Sequence, residues 1–506
     1  MPNIKKQWDI LIKNAWVFDG SGALPKQHDI AIKDGIFVAK ALNLEPSLAK
    51  NVIDGKGKWL MPGLVEIHTH YDLEVEVDPR LPESVRHGTT TVVMSNCSLG
   101  TAFGAQREGT QDPIVDCFAR VENIPKHVLR KVADGIDWNN TGDYLKHLDQ
   151  LPLGPNVAPM VPHSMLRIEV MGIEDSISRD PTSAEEEHMC RLLQKAVDEG
   201  YVGFSTDLLP THYLANDPHR SATIPTQHAK MKEVKKLTKI LRDNNRVWQT
   251  TPDPENRWLS IKNFLLTSGL FYGKPLKTTA TAAMDLDTNK GAAKALIKFN
   301  KLLNSKFING HFRFQALPAP FITWADGVTT PLLEEMKATR QLNAYELDDV
   351  EGRHKLMHDP AFVEQFRTDW MRGKQGYNLA RLERKFNIEP ETFSKDLDRM
   401  FIETCPFSAW NGEKMGDIFN RLNNYQASNY QSGAHSPEEA DMFKGFPSPI
   451  VDDANFMLHL LREFDRKLRW HTTTANKNPE ILKKLLFDEQ TLPGFTDSGA
   501  HLVNMA

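Results

Sequence analysis

From residue 62 onward, short apolar runs alternate with longer stretches whose apolar residues recur at helical spacing. "GLVEIHTH" (63–70), "HGTTTVVMSNCS" (87–98), "GPNVAPMVPHS" (154–164) and "GYVGFSTD" (200–207) are brief, β-prone and bounded by Gly, Pro, Asn or Asp, as buried strands are. Between and after them, "SAEEEHMCRLLQKAVDEG" (183–200), "QHAKMKEVKKLTKILRDNN" (227–245) and "KGAAKALIKFNKLLNS" (290–305) carry helical periodicity. The first of these opens with Ser183 and Glu186 in capping-box spacing and stops at Gly200. Strand–helix alternation over several hundred residues predicts an α/β barrel or a doubly wound sheet. Residues 8–60 differ. "WDILIKNAWVFDGSG" and "HDIAIKDGIFVAKA" are β-rich and broken by Asp-Gly at 19–20 and 34–35, with a third Asp-Gly at 54–55, which predicts hairpins in a small β domain. Residues about 330–445 are charged and poor in strand signals, as in "MHDPAFVEQFRTDWMRGKQGYNLARLERKF", and predict a helical insertion. "ANFMLHLLREF" (454–464) is a further helix.

Composition narrows the class of protein. The chain has 506 residues, 40% hydrophobic and 25% charged, with a net charge of −5 and no basic block. That disfavours nucleic acid and anionic membrane as partners. The four cysteines (Cys97, Cys117, Cys190, Cys405) form no CxxC pair and are too few for a disulfide framework. The start, "MPNIKKQWDILIKNAW", lacks the apolar core of a signal peptide, and no run of about 18 apolar residues is present. The expectation is a soluble cytoplasmic protein without a membrane span.

Three stretches carry candidate chemistry. On a strand, residues i and i+2 face one side, so His68 and His70 project together at the end of an apolar run, as a divalent-metal clamp would. Asp497, in "FTDSGAH", follows a short strand among small residues; a carboxylate there can bind metal or move a proton, or simply cap a turn. Cys97, at the end of "TTTVVMSNC", is a zinc-ligand candidate or a buried inert thiol.

Taken together, "MPGLVEIHTHYD", "DPRLPESVRHGTTTVVMSNCS", "NVAPMVPHSMLR", "GYVGFSTDLLPTH" and "FTDSGAH" resemble the amidohydrolase superfamily, nearest its N-acyl-D-amino-acid deacylase (D-aminoacylase) branch. The resemblance runs from about residue 8 to the end and is dense over 60–225. It implies a distorted (β/α)8 TIM-like barrel over 62–506, with the insertion at about 330–445. It also implies a small N-terminal β-sandwich part over 1–61. The family continues past its last-strand Asp to complete the sandwich, whereas this chain ends at Ala506, so the expectation is a truncated product lacking the C-terminal half of that domain.

The resemblance also assigns roles. His68, His70, Cys97 and Asp497 become metal ligands, with Asp497 as the general base that takes a water proton and returns it to the leaving amine. His163 and Arg167 become substrate-pocket residues, as do Ser498 and His501. For Arg167 a structural salt bridge is the equal alternative. The deacylases also use histidines from two middle strands, yet Arg246–Lys290 contains none. "RVWQTTPDP" offers Gln249 and Asp253, "KPLKTTATAAMD" offers Lys277, and "HFRFQALPAP" offers His311 and Gln315. One zinc ion is therefore favoured, with two zinc ions or another divalent metal as alternatives. The implied function is metal-dependent hydrolysis of a small-molecule linear amide, as in N-acyl-amino-acid deacylation. Two alternatives stand beside it: a hydantoinase- or dihydroorotase-like cyclic-amide hydrolase, with Lys277 as its bridging lysine, and a catalytically inactive relative.

Overall fold

A computed structural model describes residues 6–103 and 112–499. The chain divides into two compact units, one of residues 1–64 with 87–90 and the other of 65–86 with 91–506.

The first unit is a single five-stranded sheet. Its strands are β1 (Trp8–Val17), β2 (Lys26–Lys33), β3 (Ile36–Ala41), β4 (Ala49–Asp54) and β5 (Trp59–Leu60). The order is β3-β2-β1-β4, with β5 also on β1. Of the three Asp-Gly pairs, Asp34-Gly35 makes the predicted tight hairpin. Both residues have positive φ (49° and 75°), as the two central positions of a type I′ turn require. Asp19-Gly20 lies in the longer loop 18–25. Asp54-Gly55 joins β4 to β5, and both of those run parallel to β1, so this pair makes no hairpin. The apolar core is small: Leu11, Ala31 and Ala49. Asp29 is buried beneath it, accepting from Lys13 Nζ and from the backbone N–H of Asn14 and Leu44 at 2.8–2.9 Å. Ile36, Phe37, Val38 and Trp59 remain exposed.

The second unit is built on β6 (Leu64–Glu66), β7 (His68–Thr69), β8 (Thr89–Met94), β9 (Asn156–Pro162), β10 (Gly203–Ser205), β11 (Val247–Thr250), β12 (Lys277–Ala283) and β13 (His311–Ala316). The strands β14 (Phe321–Asp326), β15 (Met400–Thr404), β16 (Arg469–Ala475), β17 (Thr491–Pro493) and β18 (Phe495–Ser498) complete it. The main sheet runs β17-β13-β12-β11-β10-β9-β8-β6. Its ends meet. β7 continues β6 past Ile67, β18 continues β17 past Gly494, and β7 pairs with β18 in parallel. Ile67 N–H donates to Gly494 O and His70 N–H to Ser498 O, at 2.9 and 2.7 Å. The result is the expected (β/α)8 barrel, distorted where these two strands break.

Helices between successive strands cover the barrel, as βα units demand. The last helix before β10 illustrates how local chemistry sets an end. It spans Ser183–Glu199, and its capping box is Thr182 with Glu185, one residue before the pair read from the sequence. Arg179 holds the Glu185 carboxylate at 2.8 Å, which leaves Glu186 to Lys232 across the surface. Gly200 ends this helix at φ 121°, as expected.

After β13 the chain builds a second apolar core around β14, β15 and β16, an antiparallel sheet of order β14-β16-β15. Helices such as Pro360–Trp370, Met415–Ala427 and Asp453–Phe464 pack there, burying Trp370, Trp410 and Trp470 completely. The segment read as a helical insertion thus includes one strand, β15, which needs its partner β16 from outside 330–445. Among the described residues, no helix is long and apolar enough to cross a membrane.

Candidate metal centre

The break between β6 and β7 sets the site. His68 and His70 follow it at the C-terminal end of the barrel, where βα loops build active sites. Both are buried, at 0% and 3% exposure. His68 Nε2 lies 3.2 Å from Cys97 Sγ and 3.5 Å from Asp497 Oδ1. His70 Nε2 lies 3.1 Å from that same oxygen. The donor atoms of His68, His70 and Cys97 all fall within 4.8 Å of one another. Donors around a tetrahedral zinc stand about 3.3–3.7 Å apart, given bond lengths of about 2.0–2.3 Å. Cys97 Sγ and Asp497 Oδ1 lie 3.1–3.5 Å from the imidazole nitrogens they neighbour, close to that spacing, and the donor types of His68, His70 and Cys97 are those zinc takes, with the Asp497 carboxylate beside the two histidines.

The surroundings orient the donors. His68 Nδ1–H donates to Gln315 Oε1 at 2.7 Å, and the Gln315 amide is itself turned by its Nε2 bond to Thr279 Oγ1 at 3.2 Å. This fixes the tautomer that aims the lone pair of Nε2 inward, as metal-ligating histidines require. His70 Nδ1 lies 3.2 Å from Glu122 Oε1. Burial pulls the His68 pKa down to about 4, so this ring is neutral and free to bind metal. Burial also disfavours a charged His70, but Glu122 and Asp497 outweigh it and raise this ring to about 9. Without metal, a proton sits where two carboxylates favour a cation. Burial raises Glu122 to about 7 and pushes the Cys97 thiol well up.

Backbone strain gathers at the same place. Ser95, Cys97, Ser98 and Asp497 have φ between 50° and 65°, a region non-glycine residues enter rarely. The Cys97 turn is pinned from three sides: its N–H donates to Gln249 Oε1 at 3.0 Å, Ser98 N–H to Ser205 Oγ at 3.1 Å, and Ser98 Oγ pairs with Ser164 Oγ at 2.7 Å.

The remaining sequence-selected residues divide. Ser498 accepts from His70 N–H through its carbonyl and clips β18 to β7. His501 lies outside the described residues. His163 and Arg167 open the helix His163–Met171 after β9 and are fully buried. Both turn to one carboxylate: His163 Nε2 meets Glu233 Oε1 at 2.7 Å and Arg167 Nη1 pairs with Glu233 Oε2. Arg167 Nη2 donates to the Ser176 carbonyl at 2.8 Å. The structure thus places both in a buried ion pair with Glu233, the alternative expected for Arg167, and leaves Arg167 Nε without a hydrogen-bond partner among the described residues. Lys277 and His311 are the first residues of β12 and β13, at the opposite end of the barrel from the cluster. Lys277 is therefore excluded as a bridging lysine. Where middle-strand ligands were sought, the chain supplies the amides of Gln249 and Gln315, which hold Cys97 and His68 in place.

Three site residues escaped the sequence reading. Asp207 stands two residues past β10, the same strand-end signal that singled out Asp497. His212, which pairs with it, lies in an irregular loop, and Glu122 caps the end of the helix Pro113–Val121. Neither of these two positions carries a spacing cue.

No family model matches the chain. An uncharacterized protein of Mycobacterium tuberculosis is 33% identical over 505 residues, 99% of this chain and 75% of its own length. The N-acyl-D-aspartate deacylase of Alcaligenes xylosoxydans xylosoxydans is 34% identical over 200 residues, 40% of this chain and 36% of that protein. Among solved structures, the N-acyl-D-glutamate deacylase of Bordetella bronchiseptica, complexed with zinc and a phosphonate mimic of the tetrahedral intermediate, aligns with a TM-score of 0.54. That alignment has 19% identity and covers 97% of this chain and 76% of that one. A D-aminoacylase structure aligns with a TM-score of 0.53 at 17% identity, over 96% of this chain and 75% of that one.

Proposed function

Because the chain belongs to the amidohydrolase superfamily, in its D-aminoacylase-like branch, we propose that it is a zinc-dependent hydrolase of linear amides that deacylates N-acyl amino acids. One observation carries this reading: the donor atoms of His68, His70 and Cys97 gather within 4.8 Å of one another at the C-terminal end of the barrel, and Asp497 Oδ1 stands 3.5 and 3.1 Å from the two imidazole nitrogens. These four residues would hold one metal ion. Bound zinc supplies Lewis acidity, bringing the pKa of water toward neutrality and polarising a carbonyl oxygen. Asp497, with 16% of its side chain exposed, is the carboxylate that takes a proton from the attacking water. Gln315 and Glu122 hold the two imidazoles in orientation, and Gln249 holds the Cys97 turn. The position of Lys277 removes the lysine considered for a cyclic-amide hydrolase.

The test is zinc analysis of the purified chain, followed by amine release from N-acetyl-D-aspartate, N-acetyl-D-glutamate, N-acetyl-D-leucine and their L-isomers. About one zinc per chain and turnover of at least one compound are expected. Asp497→Asn should lower kcat by about 10²–10⁴-fold while leaving the circular dichroism spectrum unchanged. A chain that neither holds zinc nor responds to it, or an Asp497→Asn variant with wild-type turnover, sinks the assignment.

A further inference from the structure

Beside the His68–His70 cluster stands a second imidazole–carboxylate pair. Asp207 is fully buried. Its Oδ1 accepts from Leu209 N–H and from Thr251 Oγ1, both at 2.7 Å, and its Oδ2 meets His212 Nδ1. Both carboxylate oxygens are thus committed, and the His212 ring is held with Nδ1–H toward Asp207. Its other nitrogen, Nε2, has no hydrogen-bond partner among the described residues, and 15% of the side chain is exposed. The side chains of His68 and His70 are only 1% and 3% exposed. His212 and Asp497 are therefore more exposed than the two histidines of the cluster, at 15% and 16% of their side chains. The pair belongs to the same electrostatic neighbourhood: Glu122 and His70 act on His212, and Asp207 acts on His68 and Cys97. Burial alone would favour a neutral His212, but Asp207 and then Glu122 outweigh it and raise its pKa.

Amide hydrolysis needs two proton transfers. One takes a proton from water; the other delivers one to the nitrogen, which leaves poorly as an anion. Asp497 Oδ1 faces both imidazoles of the cluster and serves the first. Resting on the hydrolase reading above, we propose that His212, held by Asp207, is a further catalytic residue that serves the second, giving its Nε2 proton to the departing amine. The C–N bond breaks with its electron pair going to nitrogen, which takes the proton from Nε2. The imidazole regains a proton from solvent, and Asp497 releases to solvent the one it took from water. Asp207 is a positioning residue that sets the tautomer, the arrangement that recurs wherever a histidine moves protons under a carboxylate's control.

The experiment compares an amide with an ester. On the full chain loaded with zinc, His212→Gln should lower kcat for the best N-acetyl amino acid by about 10²–10³-fold. Hydrolysis of 4-nitrophenyl acetate, whose leaving group needs no proton, should stay within about threefold, with zinc content unchanged. Asp207→Asn should reproduce the amide-selective loss in kcat with KM held. Equal loss on amide and ester, loss of zinc, or wild-type amide kcat in His212→Gln overturns the proposal. Nitrogen-15 NMR of labelled histidines reads the pair without any substrate. A His212 protonated at Nδ1, shifting on Asp207→Asn, is expected, and an Nδ1 that carries no proton overturns the dyad. A wild-type chain that cleaves none of the N-acetyl amino acids overturns the hydrolase reading instead, and the NMR result then decides the dyad separately.

Discussion

At the scale of single residues, the chain spends its buried charges in two ways. Around His68 and His70 they are aimed at one point. Around Arg167 they cancel one another. Burial would push the Glu233 carboxyl up, but His163 and Arg167 outweigh it and hold it below its ordinary value of 4.5. Such a group stabilises the fold fully above its unfolded pKa, and the contribution drains away as pH falls through the folded one. Glu233→Gln leaves Arg167 buried without its partner and should cost about 3–5 kcal/mol in urea unfolding. It should also flatten the decline in stability below about pH 4.5. A variant with wild-type stability and the same acid limb would remove the ion pair from the account. Glu122 faces the other way, toward His70, and Glu122→Gln should weaken zinc binding by about 10–100-fold, read by competition with a chelator.

At the scale of elements, the site depends on two broken strands meeting. β7 carries the histidines and β18 carries Asp497, and their junction ends at Gly499, whose φ is 85°. A Cβ added there would lie 2.6 Å from the His70 carbonyl carbon and 2.7 Å from its oxygen. Gly499→Ala should therefore cost about 1–3 kcal/mol and lower the zinc content by moving Asp497 off the histidines. Retention of full zinc occupancy would show that the junction tolerates a shift. The strands themselves were readable as short apolar runs bounded by turn residues. The strand breaks were not, because a break at Ile67 or Gly494 alters no period; it comes from closing a ring whose end strands must also serve the site.

At the scale of the whole molecule, the barrel closes between residues far apart in the chain, and a metal on His68, His70 and Asp497 would bridge that closure. Binding to the folded state alone stabilises it by about 2.7 kcal/mol at a free metal concentration 100 times Kd. Zinc should thus raise the apparent Tm and a chelator lower it, and both effects should vanish in a His68→Ala/His70→Ala double variant. A Tm indifferent to zinc in the wild type would argue that no ion binds there. The second core, around Trp370, Trp410 and Trp470, follows from the aromatic density of 360–475. Its antiparallel sheet was hidden, because β15 and β16 are separated by helical sequence.

Taken by itself, the sequence determined what local pattern and residue chemistry can carry: alternating strands and helices, the Asp34-Gly35 hairpin, and three metal-ligand types at strand ends. Each rests on neighbours within a few positions, where periodicity and turn chemistry act. Only the tertiary structure decided which of these meet. It brought Asp497 onto His70, gave Gln249 and Gln315 the task of holding donors, committed Arg167 to Glu233, and set His212 under Asp207 beside the cluster. Those are contacts across long loops, fixed by how the barrel closes and how buried charges find partners, and no short-range pattern in the chain encodes them.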